Sequence, residues 1–420
     1  MNAFWCMPFA LRFRLYPNHS QEARLLRALE ASRRLWNDAL AHRKSRWENK
    51  RESTSYNLQQ WILTEARHTD PLIGEALHSQ SAQDVLRRLD KAFKSFFARR
   101  ARHPKFKKFS HTGSFTYPQA YNGSVRPDVI RGRLYLSKVG NIRIVFHRQF
   151  PTDSRLKVCT VSREPDGKWF ASLVFEEVVP LQNIHTIQVA LSSPIGIDLG
   201  LLSLITTSDG EKVEHPRFLR KAERRLKHLQ KVFSRKKKGS KNHFKARHQV
   251  ASQHAKVRRR RSDFNHKLST KLVRGHNFIA FEDLRIRNMV RNHSLAKSIQ
   301  DAAWGQLVRL TEYKALRAGA RTIRVPAAYS TQECFHCEAL TKASLGLREF
   351  VCVGCGRVLQ RDTNAAGVVL KRGLAIAIGR DTPELKPVKT ESLLVSTTRG
   401  ASSVGEAGTI CPRGLEAHGF

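Results

Sequence analysis

Four cysteines in two CxxC pairs constrain this chain more than any other feature of its sequence. Cys334 and Cys337 form the first pair, Cys352 and Cys355 form the second, and fourteen residues separate the pairs. Each CxxC turn can place two thiolates on one edge of a zinc ion, and two turns complete the tetrahedral shell of a structural site. Because no coordination position stays open, we predict a Zn²⁺ ion that stabilises the fold and takes no part in catalysis.

Two alternatives for this cluster are a pair of redox motifs and a chance grouping. Gly354 and Gly356 suit a tight second turn, which favours zinc, and His336 is predicted to be exposed and not a fifth ligand. The other cysteines are scattered and are predicted to be free thiols: Cys6, Cys159 and Cys411. This usage differs from the disulfide framework of a secreted domain, so we predict an intracellular protein.

The charge of the chain predicts the class of its partner. The 420 residues include 75 Lys+Arg and 35 Asp+Glu, which gives a formal net charge of +40. A polyanion is the expected partner of so basic a surface. No apolar run reaches the roughly 18 residues of a membrane span, and residues 1–13 do not resemble a secretory signal. We therefore predict binding to nucleic acid and not to a membrane.

The highest density of positive charge lies between Arg217 and Arg261. This stretch contains nineteen Lys/Arg and one acid, Glu223. Apolar residues at helical spacing predict two basic helices joined near Gly239 and Ser240. A solvated face or a localisation tract is the alternative, but two dense runs favour contacts with a phosphate backbone. The predicted contact residues are Arg235, Lys236, Lys237, Lys238, Arg258, Arg259, Arg260 and Arg261.

Hydrophobic periodicity predicts an α+β chain of several domains. Residues 9–16 alternate between apolar and polar side chains, as in a half-buried strand, and helical spacing follows as far as residue 103. Alternation returns after Pro104, so the helical module is expected to be an insertion between the first and second strands of one barrel or sheet. From about Ser192 strands alternate with helices, which indicates an α/β domain.

A strand between two glycines supplies the first candidate for metal chemistry. In the run from Ile195 to Gly200, the isoleucines and the leucine face a core, whereas Gly196, Asp198 and Gly200 face the other way. We expect the glycines to leave space for a metal and a phosphate backbone. Sugar-kinase-like ATPases begin with a similar strand, so this signal has an alternative.

Two further acidic positions complete the candidate site. A hydrophobic strand ends in Glu282 and Asp283, whose side chains point to opposite faces, and the residues alone do not decide which one meets Asp198. Asp362 precedes a helix, where its alternative role is an N-cap. Three converging carboxylates would repel one another unless cations neutralise them, and two Mg²⁺ ions about 3.5–4 Å apart are the usual solution.

The order of these motifs resembles the TnpB proteins of bacterial insertion sequences and the nuclease half of type V CRISPR effectors. The resemblance covers residues 8–378 and is most specific in the C-terminal half. Its motifs are Tyr16-Pro17, Pro104-Lys-Phe-Lys-Lys, Gly-Ile-Asp198-Leu-Gly, Asp263-Phe-Asn-His-Lys267, Glu282-Asp-Leu, Asp301-Ala-Ala-Trp304-Gly, the two CxxC pairs and Arg361-Asp362-Thr-Asn364-Ala-Ala. The chain departs from the family pattern at Ser330-Thr331, before the first cysteine, and at Gln360, where an acid is common.

The resemblance implies an architecture with defined boundaries. It implies a wedge β-barrel with an inserted helical recognition domain, followed by a RuvC-like α/β domain of the RNase H fold with an inserted zinc ribbon. The predicted boundaries are residues 1–19 and 104–190 for the barrel, 20–103 for the recognition domain, 191–329 and 359–378 for the RuvC-like domain, and 330–358 for the ribbon. Residues 379–420, neutral and rich in Gly, Ser, Thr and Pro, are predicted to form a disordered tail.

The resemblance also implies an activity, namely RNA-guided cleavage of double-stranded DNA. Asp198, Glu282 and Asp362 would bind the catalytic Mg²⁺, and the guide RNA would derive from the right end of the transposon. The protein would read a short adjacent motif while RNA pairing reads the rest of the target. Possible motif-reading residues are Tyr56, Gln83 and residues 117–119, for which a structural role is the alternative.

Three other functions compete with this prediction. A nuclease-inactive relative acting as an RNA-guided repressor would have lost acids of the triad, and all three are present. A strand-joining transposase needs a His-x-His pair and a catalytic tyrosine, and we find no convincing His-x-His pair; an accessory role in transposition is the remaining form of this alternative. A general RNA-binding protein with a zinc ribbon would explain the charge but not the order of the acids.

Overall fold

The computed structural model describes residues 4–108, 113–150, 154–180, 193–341 and 348–379. These residues form two compact units, which divide between residues 180 and 193. Both units contain helices and strands, so the mixed α and β character predicted from the sequence is confirmed. The predicted tail, residues 379–420, lies almost entirely outside the described residues.

A seven-stranded antiparallel sheet forms the core of the first unit. Its central strand β1 (Phe4–Tyr16) pairs with β7 (Trp169–Pro180) on one side and β5 (Gly140–Val145) on the other. The remaining strands are β2 (Gly113–Tyr117), β3 (Val125–Asp128), β4 (Arg133–Leu136) and β6 (Ser154–Arg163), in the order β2-β6-β7-β1-β5-β4-β3. The alternate residues of β1 are buried as predicted, with Phe13 and Leu15 fully inaccessible.

Four helices lie between β1 and β2 along the chain. They are α1 (His19–Lys50), α2 (Tyr56–Thr69), α3 (Pro71–Ala76) and α4 (Ser79–Phe97). Helix α1 begins with a capping box, in which Asn18 accepts from the Gln21 backbone and Gln21 accepts from the Asn18 backbone. The helices share a hydrophobic core that includes Leu40, Leu86 and Leu89, as their predicted helical spacing requires.

The second unit contains a mixed five-stranded sheet. Its strands are β8 (Pro194–Asp198), β9 (Ser203–Thr207), β10 (Lys212–Glu214), β11 (Phe278–Glu282) and β12 (Arg321–Val325), in the order β10-β9-β8-β11-β12. Strands β8, β11 and β12 are parallel, whereas β9 and β10 are antiparallel to their neighbours. Alternation in the sequence predicts strands at residues 195–199, 202–207, 277–282 and 322–325, and all four are confirmed to within one residue at each end.

Helices cover this sheet, and a short hairpin follows it. The helices are α5 (Phe218–Ser234), α6 (Lys241–Gly275), α7 (Ile286–Met289), α8 (His293–Ala302), α9 (Trp304–Ala318) and α10 (Arg361–Ala377), and the hairpin consists of β13 (Glu349–Val351) and β14 (Val358–Gln360). Helices α5 and α6 are the two predicted basic helices. Gly239 has a left-handed φ of 84° between them, and the Ser240 side chain caps α6. Within the described residues, no helix is long and apolar enough to span a membrane.

Candidate metal centres and nucleic-acid surface

Asp198 and Glu282 lie at the carboxyl ends of neighbouring parallel strands. The register of β8 and β11 pairs Ile197 with Phe281, so the next pair along the strands is Asp198 with Glu282. Residues paired in a parallel register project from the same face of a sheet. The two carboxylates therefore project from the same face at one edge of the sheet.

The structure separates the two acids that end β11. Glu282 is buried, with 7% of its surface exposed, whereas Asp283 is exposed and lies 3.8 Å from Arg324. Alternation along the strand turns Asp283 away from Asp198. The choice between the two acids, which the residues alone left open, therefore falls on Glu282.

Helix α10 packs on the face of the sheet that carries these carboxylates. A Cβ atom added to Gly196 would lie 2.1 Å from the Ala366 carbonyl oxygen, and one added to Gly373 would lie 2.7 Å from the Ala280 Cβ. The expectation that Gly196 leaves space for a metal and a phosphate is therefore wrong. The space is occupied by the backbone of α10, whose close approach requires a residue without a side chain.

Asp362 lies in the first turn of α10 and is not its N-cap. Gln360 occupies the cap position and makes no side-chain capping hydrogen bond, so the N-cap alternative for Asp362 is wrong. The Asp362 carboxylate lies 3.6 Å from both the Arg348 and the Arg361 guanidinium groups. An acid in the first turn of a helix is also stabilised by the helix dipole.

The electrostatics of Asp198 link the three acids, which we call the carboxylate cluster (Asp198, Glu282 and Asp362). Burial is the largest cause that raises the pKa of Asp198, and the negative charges of Glu282 and Asp362 are the next two. Together they raise it to about 8. Arg361 acts in the opposite direction. The negative charges of Glu282 and Asp362 thus both act on Asp198, as expected for acids that converge.

Glu282 has partners that favour its charged form. Burial raises its pKa, while a hydrogen bond from Ser330 and the charge of Arg372 lower it. The Ser330 hydroxyl donates to Glu282 Oε1 at 2.5 Å, and Ser330 itself is only 3% exposed. Sequence reasoning identified Ser330 only as a departure from a family pattern, because nothing in the chain indicates that it contacts a strand 48 residues earlier.

The four cysteines of the CxxC pairs come together as predicted, and we call them the cysteine cluster. Their sulfur atoms all lie within 4.8 Å of one another. The Sγ atoms of Cys334 and Cys355 are 3.8 Å apart, and those of Cys337 and Cys352 are 3.4 Å apart. A disulfide would need about 2.05 Å, whereas Zn–S bonds of about 2.3 Å in a tetrahedron separate the sulfurs by roughly 3.8 Å. The cluster can therefore hold a zinc ion.

Local backbone geometry supports the second cysteine turn. The N–H group of Cys355, the Cys337 thiol and the N–H group of Gly354 form hydrogen bonds with the Cys352 sulfur and lower the pKa of Cys352 to about 6. Gly356 has a left-handed φ of 67°, and a Cβ on Gly354 would lie 2.7 Å from the Cβ of Ala339. Both glycines predicted to suit this turn are required by it, and His336 is exposed as predicted.

A buried asparagine joins the cysteine cluster to α10. The Asn364 side chain accepts from the Phe335 backbone N–H at 2.9 Å and donates to the Glu333 carbonyl at 2.6 Å. One turn later the Phe335 ring packs against Gly367, where a Cβ would lie 2.8 Å from the ring. Because Asp362 begins the same helix, the first cysteine turn and the carboxylate cluster share one rigid support.

Most of the predicted basic contacts are exposed, and one of them, Arg261, pairs with a buried acid. Arg235, Lys236, Lys237 and Lys238 are all exposed between α5 and α6, as are Arg258 and Arg260 on α6. Arg261 is different, because its guanidinium pairs with the buried Asp301 carboxylate at 3.0 Å. Asp301 also accepts from the backbone N–H groups of Leu219 and Arg220, so it caps α5 and holds the two basic helices together.

The possible motif-reading residues are all in the first unit. The Tyr117 side chain is 1% exposed and its hydroxyl donates to the Ser137 carbonyl, which is a structural role. Tyr56 is half-buried and accepts a hydrogen bond from Arg87, Gln83 is half-buried, and the Gln119 side chain accepts from Gln80. No contact of these residues tests motif reading, which stays a prediction.

Comparisons with known proteins agree with the motif order. The chain matches the family OrfB_IS605, described as "Probable transposase", over residues 181–293, a "Cas12f1-like, TNB domain" over residues 304–369, and the helix-turn-helix domain HTH_OrfB_IS605 over residues 7–52. It is 37% identical over 372 residues to a Streptomyces pristinaespiralis protein named "Putative RNA-guided DNA endonuclease", covering 87% of this chain and 89% of the relative.

Another relative and one solved structure extend the comparison. The chain is 31% identical over 400 residues to the Escherichia coli K12 protein named "Putative RNA-guided DNA endonuclease InsQ", covering 91% of this chain and 96% of the relative. A solved Cas12f1-sgRNA-target DNA complex is similar with a TM-score of 0.53 at 12% identity, covering 84% of this chain and 83% of the Cas12f1 chain. At that identity the likeness concerns the fold alone.

Proposed function

The chain belongs to the TnpB (OrfB_IS605) family, and from that premise we propose that it is an RNA-guided DNA endonuclease whose nuclease centre is the carboxylate cluster. The observation that carries the proposal is the meeting of Asp198 and Glu282 at one sheet edge, with Asp362 close enough to raise the pKa of Asp198. Relatives that match nearly the whole chain bear the name of this activity.

The donors of the carboxylate cluster fit Mg²⁺. Carboxylate oxygens are the ligands that this hard cation prefers. Burial and then the charges of Glu282 and Asp362 raise the pKa of Asp198 to about 8, so its charged form is disfavoured until a cation neutralises the cluster. Asp198, Glu282 and Asp362 would hold one or, as we propose, two ions. Bound Mg²⁺ would supply activation of a water molecule and stabilisation of the oxygen that leaves the phosphodiester.

The residues around the cluster have separate tasks in this proposal. Ser330 orients Glu282, and α10 fixes the position of Asp362 relative to the sheet. Arg348 and Arg361 lie beside Asp362, where guanidinium groups could also contact a phosphate. Burial of Glu282 limits access of bulk water to its carboxylate.

The cysteine cluster is proposed to hold a structural Zn²⁺ ion. Four sulfur ligands fill the coordination shell, so the ion has no open position for a substrate. Its task is to keep the first cysteine turn in place against Asn364 and α10. This agrees with the predicted division of the chain, in which residues 330–358 form a ribbon inserted into the nuclease domain.

The finer architecture is also part of the proposal. The mixed five-stranded sheet supports a RuvC-like domain of the RNase H fold over residues 191–329 and 359–378. The seven-stranded sheet supports a wedge β-barrel over residues 1–19 and 104–190, and helices α1–α4 support a recognition domain over residues 20–103. These boundaries stay predictions.

The partners follow from the charge and the family. The exposed run at residues 235–238 and the exposed residues of α6 are suited to a phosphate backbone. We propose a guide RNA from the transposon right end and a double-stranded DNA target, with the complex acting in the cytoplasm at the nucleoid. The solved complex with the similar fold contains a guide RNA and target DNA.

A plasmid-cleavage assay tests this function. The full chain is co-expressed with its right-end RNA and given a plasmid library with randomised bases beside the target. Guide-dependent cuts next to one short motif, abolished by Asp198→Ala and preserved by Asp283→Ala, are the expected result. Asp283→Ala is a matched control because Asp283 lies at the same strand end as Glu282 but its side chain is exposed and faces away from the cluster.

Two outcomes would overturn the proposal in different ways. Guide-dependent binding without cutting by the wild-type protein would favour the RNA-guided repressor. Cutting that persists in Asp198→Ala would move the nuclease centre away from the carboxylate cluster.

A further inference from the structure

A sharply bent loop connects the nuclease sheet to the first cysteine turn. We call it the elbow loop (residues 326–333); it follows β12 and ends one residue before Cys334. Two successive side chains in it have opposite surroundings. Tyr329 is 63% exposed, whereas Ser330 is 3% exposed and bonds to Glu282.

The Ser330 hydroxyl has a choice of two acceptors. Its oxygen lies 2.5 Å from Glu282 Oε1 and 3.2 Å from the Ala327 carbonyl oxygen. A hydroxyl carries one proton and donates it to one acceptor at a time. Bonds from a hydroxyl to an ionised carboxylate are typically about 2.5–2.7 Å long and are stronger than bonds to a neutral carbonyl. The proton therefore goes to Glu282.

The elbow loop is held in a conformation that it would not adopt alone. Tyr329 has a left-handed φ of 62°, which costs a non-glycine residue about 1–3 kcal/mol unless its surroundings impose it. The backbone N–H groups of Gln332 and Glu333 both donate to the Tyr329 carbonyl at 2.9 Å. These bonds close the bend and leave Ser330 facing the sheet.

One arginine of α10 fixes both ends of the bend. Arg372 donates to the Pro326 carbonyl at 2.7 Å and to the Ala328 carbonyl at 2.8 Å, and it pairs with the Glu333 carboxylate at 2.5 Å. Burial raises the pKa of Glu282, and the charge of Arg372 offsets part of that rise. A loop that only linked the sheet to the cysteine cluster would not need this many bonds to a helix of the nuclease core.

We propose that Ser330 is a positioning residue, which holds one oxygen of Glu282 so that the other is oriented for a divalent cation before the cation binds. The proposal rests on the proposed function, since it concerns Glu282 as a metal ligand. Groups that orient a metal ligand from outside typically account for about 10–100-fold in metal affinity. Because the elbow loop leads directly into the first cysteine turn, the orientation of Glu282 then depends on how that turn is held in place.

The test compares Ser330→Ala with Ser330→Thr in the full chain bound to its guide RNA. Two quantities are measured, namely the Mg²⁺ concentration at half-maximal cleavage and the affinity for Mn²⁺ by electron paramagnetic resonance, which does not depend on activity. We expect Ser330→Ala to weaken both by about 10–100-fold. Ser330→Thr, which keeps the hydroxyl, should restore most of the loss.

A matched variant separates positioning from stability. Ser32→Ala also removes a buried hydroxyl, one that donates to the Ala28 carbonyl inside α1 in the first unit. It should leave the Mg²⁺ and Mn²⁺ requirements unchanged, whatever it does to the melting temperature. Zinc content and melting temperature of all variants establish that they are folded.

The outcomes distinguish the positioning role from the proposed function. Wild-type metal requirements in folded Ser330→Ala would overturn the positioning role while leaving the nuclease intact. If Ser330→Ala does not fold, wild-type metal requirements in Ser330→Gly would overturn it equally. A wild-type protein that neither cleaves nor binds Mn²⁺ through Asp198 would overturn the proposed function, and the positioning role with it.

Discussion

The cysteine cluster and the carboxylate cluster bring anionic ligands together by opposite means. The cysteines come from one short stretch of chain, and two tight turns suffice to place their sulfur atoms within 4.8 Å of one another. The carboxylates come from β8, β11 and α10, which are far apart in sequence, so they meet only after the sheet has formed and the helix has packed on it. Local spacing builds the first site, and tertiary packing builds the second.

The electrostatics of the two clusters differ in the same way. In the cysteine cluster, hydrogen bonds from the Cys355 backbone, the Cys337 thiol and the Gly354 backbone lower the pKa of Cys352 to about 6, while hydrogen bonds with the other thiols raise the pKa of Cys337 to about 12. Burial and the neighbouring acids raise the pKa of Asp198 to about 8, so packing disfavours its charge.

The largest expected effect is the loss of zinc. Cys337→Ser removes one of the four proposed zinc ligands, and on the order of 10 kcal/mol of binding free energy depends on a complete zinc shell. We expect the variant to lose its single equivalent of zinc by mass spectrometry of the metal, together with cleavage, because the first cysteine turn is bonded to α10 through Asn364.

Cys159→Ala serves as the control for this prediction. Cys159 is a buried thiol of the seven-stranded sheet, outside the cysteine cluster. It should retain zinc even if its melting temperature falls. Cleavage at the wild-type rate by zinc-free Cys337→Ser would contradict the link between the two clusters.

The second effect concerns the packing that assembles the carboxylate cluster. In Gly196→Ala the new methyl group would lie 2.1 Å from a carbonyl oxygen of α10. Overpacking usually costs about 1–3 kcal/mol, and a clash with backbone should reach or exceed the upper end of that range. Urea denaturation measures the change in free energy of unfolding.

Gly356→Ala is the matched substitution at the cysteine cluster. Its Cβ would meet open space, and the cost comes only from the left-handed φ of 67°, about 1–2 kcal/mol. If Gly196→Ala destabilised the protein less than Gly356→Ala does, α10 would not pack on the sheet as closely as described.

The third effect tests the bond between the clusters. Asn364→Ala leaves the Phe335 N–H and the Glu333 carbonyl without their buried side-chain partner, at a cost of about 1–3 kcal/mol. Hydrogen exchange should show faster exchange at residues 333–337. Thr363→Ala, which removes a single hydrogen bond to Gln360 on an accessible turn, should change little, and equal exchange in both variants would contradict the link.

The contrast between the clusters explains which features the sequence predicted. The meeting of the four cysteines, the glycines of their second turn and the bounds of the strands in the second unit depend on local spacing, and these features were predicted correctly. The two-faced strand of Asp198 was also predicted, but the role of Gly196 was not, because the helix that fills its space begins at residue 361.

Long-range contacts were beyond prediction from the residues. Periodicity shows that Glu282 and Asp283 face opposite ways, but only the register between β8 and β11 selects Glu282. The sequence around Ser330, Arg348 and Asp301 does not indicate which carboxylates or backbone groups these side chains contact. Asp301 belongs to a motif of the family, but only the fold shows that its carboxylate caps α5.

The pair of acids at the end of β11 offers the most direct test of the central claim, that a nuclease centre forms around Asp198, Glu282 and Asp362. Guide-dependent cleavage is measured for Glu282→Gln and Asp283→Asn, which remove one charge each from adjacent residues. We predict a loss of at least about a hundredfold for Glu282→Gln, since a ligand should matter more than the outer groups that orient it, and a rate near wild type for Asp283→Asn. The claim would be contradicted if Glu282→Gln cleaved at the wild-type rate. It would also be contradicted if Asp283→Asn lost cleavage while Glu282→Gln kept it.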